Sequence, residues 1–254
     1  MLKGIDHLVI VVTELNAAVE SYRALGFAVV LGGRHPIGTH NALIAFADGS
    51  YLELIAFFEP NTQHRWYQRL QLSGGLIDFC LQTDDLAGDI CAFREAGVKI
   101  ADPRPLSRVR PDGYQLRWVL SIPEEHQGVA PFLIEDETPR GERVPRVTVH
   151  ANGVTGIHGV TVAVADPAGV RRWYERVRGV SVTAVDRNDF VASGVRVVIG
   201  PHALDYMAPG GADSALVDWL STHGDSPYAA SLSTTAGKGP LDFGKTQAAR
   251  LSLV

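Results

Sequence analysis

His7 and Glu53 are the residues of this 254-residue chain whose types and positions most directly suggest chemistry. His7 lies in the apolar run IDHLVIVV (5–12) and Glu53 in the run YLELIAFF (51–58). Side chains alternate along a strand, so Ile5, His7, Val9 and Val11 share one face, and Tyr51, Glu53, Ile55 and Phe57 share another. If Leu8, Ile10, Leu52 and Leu54 pack on a helix, His7 and Glu53 both turn to the opposite side. A carboxylate among aliphatic neighbours is costly unless it is paired, hydrogen-bonded or bound to metal. Imidazole and carboxylate are suitable ligands for zinc, iron or manganese. The pair therefore reads as a metal or acid–base site, and a buried structural ion pair is the plain alternative.

The elements that must position these residues come from an internal repeat of 71 residues. Gly4–Leu15 aligns with Gly75–Leu86, and Arg23-Ala24-Leu25-Gly26 falls on Arg94-Glu95-Ala96-Gly97. A repeat of this length is a duplicated supersecondary unit, and paired copies enclose a cleft. The first copy predicts a strand over 5–12, a helix over 14–25 stopped at Gly26, and strands near 27–31, 41–47 and 51–58. The second predicts strand 76–82, helix 84–96, strand 97–100, a Pro/Arg-rich loop 101–113, and strands 114–122 and 130–136. Residues 138–154 read as a linker. A third copy starts at Gly156, where Val164, Asp166 and Tyr174 follow Val12, Glu14 and Tyr22 at an offset of 152. Its strands are expected near 180–185, 188–192 and 195–200. A worn fourth copy has a helix at 212–223 and strands at 227–234 and 249–254. Paired Gly-Gly at 32–33, 74–75 and 210–211 reads as turns.

Composition narrows the function classes. A net charge of −5 with interspersed basic residues argues against nucleic acid as partner. No apolar run is long enough to span a bilayer, and the N-terminus lacks a signal-peptide layout, so the cytoplasm is the expected location. Cys80 and Cys91 read as small buried hydrophobes rather than a disulfide. There is no dinucleotide or Walker glycine motif, so no nucleotide cofactor is expected, and no serine stands in a nucleophile elbow.

The segments GIDHLVIVV and HPIGTHNALIAFADGSYLELIAF resemble the glyoxalase-like domain of the vicinal oxygen chelate (glyoxalase/bleomycin-resistance/dioxygenase) superfamily. The resemblance is clear over 4–58 and fades towards the C-terminus. It implies an α+β fold of tandem βαβββ modules paired into incomplete barrels, the last one degenerate. Residues 1–137 would form one glyoxalase-like domain and 155–254 a second, degenerate one. It also implies one divalent metal (iron, manganese, zinc or nickel) held by a residue from the first strand and a carboxylate from the last strand of each module. His7 and Glu53 match those positions, and Asp78 takes the place of His7 in the second copy. Asp78 could equally be a strand-start residue satisfied by local amides. Phe132 replaces the second carboxylate, and the third copy offers Gly159 with no carboxylate in the strand 194–198.

Around this pair, the rim segment Arg34–Asn41 supplies candidate substrate contacts, His40 and Asn41 first, then His35 and Arg34. Tyr51 shares the face of Glu53 and would line the pocket. Of Arg117 and Trp118, only one can face the cup. His150 and Asn152 read as solvated linker residues. The leading expectation is a small-molecule enzyme acting next to a carbonyl or vicinal oxygens, by isomerase, lyase or dioxygenase chemistry. Glu53 and His7 would hold a metal, or Glu53 would act as general base. The rival is a metal-free protein that sequesters an organic ligand, as bleomycin-resistance proteins do. A third reading is assembly, for example a homodimer, through the unfinished sheet edge of the fourth copy.

Overall fold

A computed structural model describes residues 1–35, 38–72, 74–109 and 113–254. Pro36 and Ile37 of the rim segment, and Arg110, Pro111 and Asp112 of the expected 101–113 loop, lie outside the described residues. The first module runs β1 (Leu2–Val11), α1 (Leu15–Ala24), β2 (Val30–Arg34), β3 (Thr39–Ala45) and β4 (Tyr51–Phe57). A short helix, α2 (Tyr67–Leu72), leads to the second module: β5 (Gly75–Thr83), α3 (Leu86–Glu95), β6 (Arg104–Val109), β7 (Gln115–Ser121) and β8 (Phe132–Asp136). Then come α4 (Arg140–Arg143) and the third module: β9 (Val154–Ala163), α5 (Pro167–Tyr174), β10 (Ser181–Arg187), β11 (Ala192–Ile199) and β12 (His202–Pro209). The chain finishes with α6 (Ala215–His223), β13 (Ser226–Thr234), β14 (Gly239–Pro240) and β15 (Leu251–Leu253).

The tandem βαβββ plan and the worn last module are thus present. An eight-stranded sheet has the order β2-β3-β4-β1-β5-β8-β7-β6, and a seven-stranded sheet has β10-β11-β12-β9-β13-β15-β14. In each module the first strand runs parallel to the last: β1 with β4, β5 with β8, β9 with β12, and β13 with β15. The fourth module retains only strands. Its first strand is β13, so α6 precedes the module and matches α2 in chain order. The chain packs as two compact units, one of Met1–Asp6, Phe79–Arg143 and Gly159–Tyr228, the other of His7–Asp78, Val144–His158 and Ala229–Val254.

Local sequence explains these elements. Helix α1 buries Leu15, Ala18, Val19 and Tyr22, an i, i+3, i+4, i+7 stripe. The repeat keeps the helix starts in phase: Glu14, Asp85 and Asp166 all stand at N-cap positions. Asp85 and Asp166 accept from the backbone N–H of Gly88 and Gly169, satisfying a donor that the first turn leaves open.

Several expectations need correction. Residues 104–109 form a strand where a loop was expected; β6 is an edge strand, the place in a sheet where a proline such as Pro105 is tolerated. Residues 188–191 turn instead of forming a strand, which moves the last strand of the third module to β12. His150 is buried, not solvated: it accepts from Ala28 N–H through Nδ1, contacts the Ala45 carbonyl through Nε2, and meets Phe27 and Phe46 edge-on. Asn152 donates to the Leu25 carbonyl. The linker is polar because these side chains cap the backbone of the first module. Cys91 is exposed, whereas Cys80 is buried.

Candidate functional site

The site is built on β1, β3 and β4. In the parallel register of β1 and β4, His7 stands opposite Tyr51 and Val9 opposite Glu53. The alternate residues Leu8, Ile10, Leu52 and Leu54 are wholly buried on the other face. His7 and Glu53 are only 5% and 9% exposed, and His7 Nε2 lies 3.6 Å from Glu53 Oε2. The His7 ring stacks on Tyr51, with centroids 4.6 Å apart and planes 16° apart. From β3, Asn41 Nδ2 donates to Glu53 Oε1 at 2.7 Å. Four of the residues singled out in the sequence therefore come together: His7, Asn41, Tyr51 and Glu53.

The orientation of Asn41 is fixed. Its Oδ1 accepts from the backbone N–H of Gly33 at 3.0 Å, so its amide nitrogen must face the carboxylate. The Gly32-Gly33 pair belongs to β2, at a register irregularity between Leu31 and Arg34, and is no turn. A Cβ on Gly32 would run into Asn41 Oδ1. Gly32→Ala is accordingly expected to push the amide away and to lower stability by about 1–3 kcal/mol, the cost of overpacking a filled site. An unchanged urea midpoint would contradict this.

Asp78 is placed differently. It is 1% exposed, paired with Arg65 Nη1 at 2.6 Å, and accepts from Trp66 Nε1 at 2.9 Å. The Arg65 guanidinium also lies over the Trp66 ring, 4.5 Å from its centroid. These partners come from residues 58–66, which carry no strand or helix periodicity; the run His64-Arg65-Trp66-Tyr67 was their only signal. Phe57, on the face of Glu53, meets His64 and Tyr67 edge-on at 5.1 Å each, and His64 in turn contacts Trp66. Burial pulls the His64 imidazole down to about 4, and the positive charge of Arg65 and His35 adds to the effect.

A histidine with a depressed folded pKa keeps a neutral ring in the fold. The unfolded chain binds the proton first as pH falls through 6.5, so stability declines from there to about 4 and no further. Because the ring is partly solvated, the loss is about 1 kcal/mol. Urea midpoints at pH 7 and pH 4.5 should differ less in His64→Gln than in the parent; an identical slope would refute the assignment.

Arg34 and His40, register partners in β2 and β3, gather on Phe58 rather than on Glu53. Arg34 lies over Phe58 at 4.6 Å, and His40 meets the same ring edge-on at 5.8 Å. His40 neighbours Asn41 in β3 and so takes the opposite face. His35 Nδ1 bonds with Thr39 Oγ1 at 2.8 Å. Arg117 is exposed beside Glu137, and Trp118 is half-buried.

With this geometry in view, a family comparison is decisive: residues 5–178 match the model of the glyoxalase-like domain. The chain belongs to the glyoxalase-like domain family. Among solved structures, this glyoxalase-like chain is similar over its full length to a hypothetical protein from Staphylococcus aureus, with TM-score 0.71, 14% identity and 99% of that chain covered. It is similar over 92% of its length to a variant of 4-hydroxymandelate synthase from Streptomyces coelicolor, with TM-score 0.62, 13% identity and 71% of that chain covered. A xylose isomerase-like TIM barrel/4-hydroxyphenylpyruvate dioxygenase fusion protein matches 98% of this chain and 38% of its own, with TM-score 0.55 and 13% identity. At these identities the likeness is one of fold. A comparison with curated proteins gives no match.

The registers show what the other glyoxalase-like modules keep at the same positions. Phe132 pairs with Cys80 as Glu53 pairs with Val9, so the second module does lack the carboxylate. In the third, Asp205 pairs with Thr161, the equivalent of Val9, and thus occupies the position of Glu53. The expectation that this module has no carboxylate is corrected; it came from taking β11 for the last strand. Asp205 is engaged by Arg196 through two 2.7 Å bonds and by Arg187 at 3.0 Å. The histidine position there is Gly159, where a Cβ would strike the Ala203 carbonyl.

Proposed function

We propose that this chain is a small-molecule enzyme acting on a carbonyl or vicinal-oxygen compound at the face formed by β1, β3 and β4. The observation that carries this reading is the Asn41–Glu53 hydrogen bond. It holds one carboxylate oxygen and leaves the other turned to His7, an arrangement suited to moving a proton at carbon beside a carbonyl. Glu53 takes the proton, Asn41 sets its angle, and the His7 ring, braced on Tyr51, exchanges a proton with the substrate oxygen. Tyr51 lines the wall, whereas Arg34 and His40 gather on Phe58 away from Glu53 and take no part. Isomerase or lyase chemistry follows most directly; dioxygenase chemistry is the other route within the family.

The same donors fit a divalent ion. With bonds of about 2.1 Å, two ligands of one ion lie about 3.4 Å apart, close to the 3.6 Å between His7 Nε2 and Glu53 Oε2. Iron, manganese, zinc or nickel held there would polarise the substrate oxygen. Asp78 would join as a third ligand only by exchanging its Arg65 and Trp66 partners. The rings of Tyr51, Phe57 and Trp66 favour one second reading, a protein that binds an organic ligand without turning it over.

Deuterium incorporation beside the carbonyl of a panel of 2-oxo and 2-hydroxy compounds separates these readings. Exchange by the parent and none by Glu53→Gln supports the enzyme; equal exchange by both overturns it. Elemental analysis of protein purified without chelator decides the metal. Stoichiometric metal that falls in His7→Ala supports ligation, and a blank persisting after metal soaking refutes it.

A further inference from the structure

We infer that Val144 closes the Tyr51 end of the site and limits the group that a carbonyl substrate carries on that side to a small apolar one, while the larger part of the substrate lies towards Phe57. This inference rests on the function proposed above and names its substrate class. Val144 follows the second module in the chain, yet residues 144–158 belong to the compact unit that holds His7–Asp78. Two side chains pin the segment there. His150 accepts from the Ala28 N–H through Nδ1 at 3.0 Å and meets the Ala45 carbonyl through Nε2 at 3.0 Å. Asn152 donates to the Leu25 carbonyl through Nδ2 at 2.9 Å, and its backbone N–H donates to the Gly26 carbonyl.

The pinned segment packs Val144 against Leu43, Ala45 and Tyr51. These three share the face of Glu53: Leu43 is the register partner of Glu53, and Ala45 that of Tyr51. Leu43 and Tyr51 are each only 6% exposed, and Ala45 is wholly buried. The polar groups are spread unevenly along this face. Asn41, opposite Ile55, holds Glu53 Oε1 from the Phe57 side. Glu53 Oε2 is turned to His7, which stands level with Tyr51 and stacks on its ring. The reactive oxygen therefore faces the end that Val144 covers. At the other end Phe57 is half-buried, and His64 and Tyr67 meet its ring edge-on at 5.1 Å each. A substrate whose reacting carbon reaches Glu53 and His7 thus meets an aliphatic wall on one side and aromatic rings on the other. Such a wall is close-packed, so it rejects a group that is too long by a methylene.

The test is a titration of phenyl alkyl ketones, from acetophenone through propiophenone and butyrophenone to valerophenone, into the intact chain by calorimetry. The phenyl ring takes the Phe57 end and the alkyl chain the Val144 end. On an open surface affinity climbs about fourfold with each added methylene. Against a wall it should climb at first and then fall about tenfold within the series. Val144→Ala removes two methyl groups and should carry this break about two carbons further, or beyond the series. Val144→Leu adds a methylene and should bring the break about one carbon closer. A change that only loosened the fold would weaken every ketone alike and leave the break in place. Three results would each overturn the inference: affinity that climbs through valerophenone in the parent, no ketone bound at millimolar concentration, or a break at unchanged chain length in either folded variant. Turnover plays no part in this measurement. A break that moves as expected without any deuterium exchange would count against the enzyme alone, and exchange by a protein that shows no break would count against the wall alone.

Discussion

Glu53→Gln is expected to lower turnover by two to four orders of magnitude, the range set by a positioned general base, with the fold intact. Glutamine has the shape of glutamate, and its carbonyl can still accept from Asn41 Nδ2, now 2.7 Å from Glu53 Oε1. What disappears is the basic oxygen facing His7. Stability should hold or rise, because a buried carboxylate must be desolvated and a neutral amide carries a smaller penalty. Asn41→Ala is the companion variant: it keeps the base but frees its angle, and about a tenfold loss is expected. Steady-state rates with any substrate from the exchange panel provide the check. A Glu53→Gln protein retaining more than about a tenth of parent activity would remove Glu53 from the chemistry.

The largest effect on stability is expected at Asp6, one residue before His7. Asp6 is wholly buried and accepts from Arg143 at 2.9 and 3.2 Å and from Arg140. Arg143 simultaneously grips Asp136 at the end of β8, through bonds of 2.6 and 2.9 Å. Two aspartates and two arginines thus tie α4 to the strands on either side. Asp6→Ala leaves two guanidinium groups with Asp136 as the remaining carboxylate of the cluster. Breaking a buried pair from one side costs about 3–5 kcal/mol, which for a chain of this size lowers Tm by roughly 10 °C. Thermal unfolding followed by circular dichroism reads this directly. A shift below about 2 °C would show that the cluster contributes specificity rather than stability.

The first module was legible because its signals are local. Two-residue alternation placed His7 and Glu53 on one side, and β1 pairs with β4 as that required. The repeat carried the fold for the same reason, since buried stripes and capping residues recur with the chain. Legibility ended where a side chain's role is set by a distant partner. Nothing local distinguishes a solvated histidine from His150, which is buried through contacts with residues more than a hundred positions away. Asp205 was missed because the turn at 188–191 resembles a strand by composition, and one misplaced strand shifts every later register. Arg65 and Trp66 lie outside any periodic segment, and their meaning comes from Asp78 alone. Arg34 and His40 look like rim residues in sequence, but Phe58 gathers them on the other face.

The close approach of Asn41 to Gly32 bears on how variation in this protein should be interpreted. In a saturation scan of the gene, position 32 would score among the residues of the reactive centre although it has no side chain to offer a ligand. Every replacement there adds atoms where the amide oxygen sits, so tolerance would track size rather than polarity or charge. Position 53 would show the reverse dependence, with tolerance following charge rather than size. The two profiles together would test the proposed coupling of Asn41 to Glu53 from genotype alone.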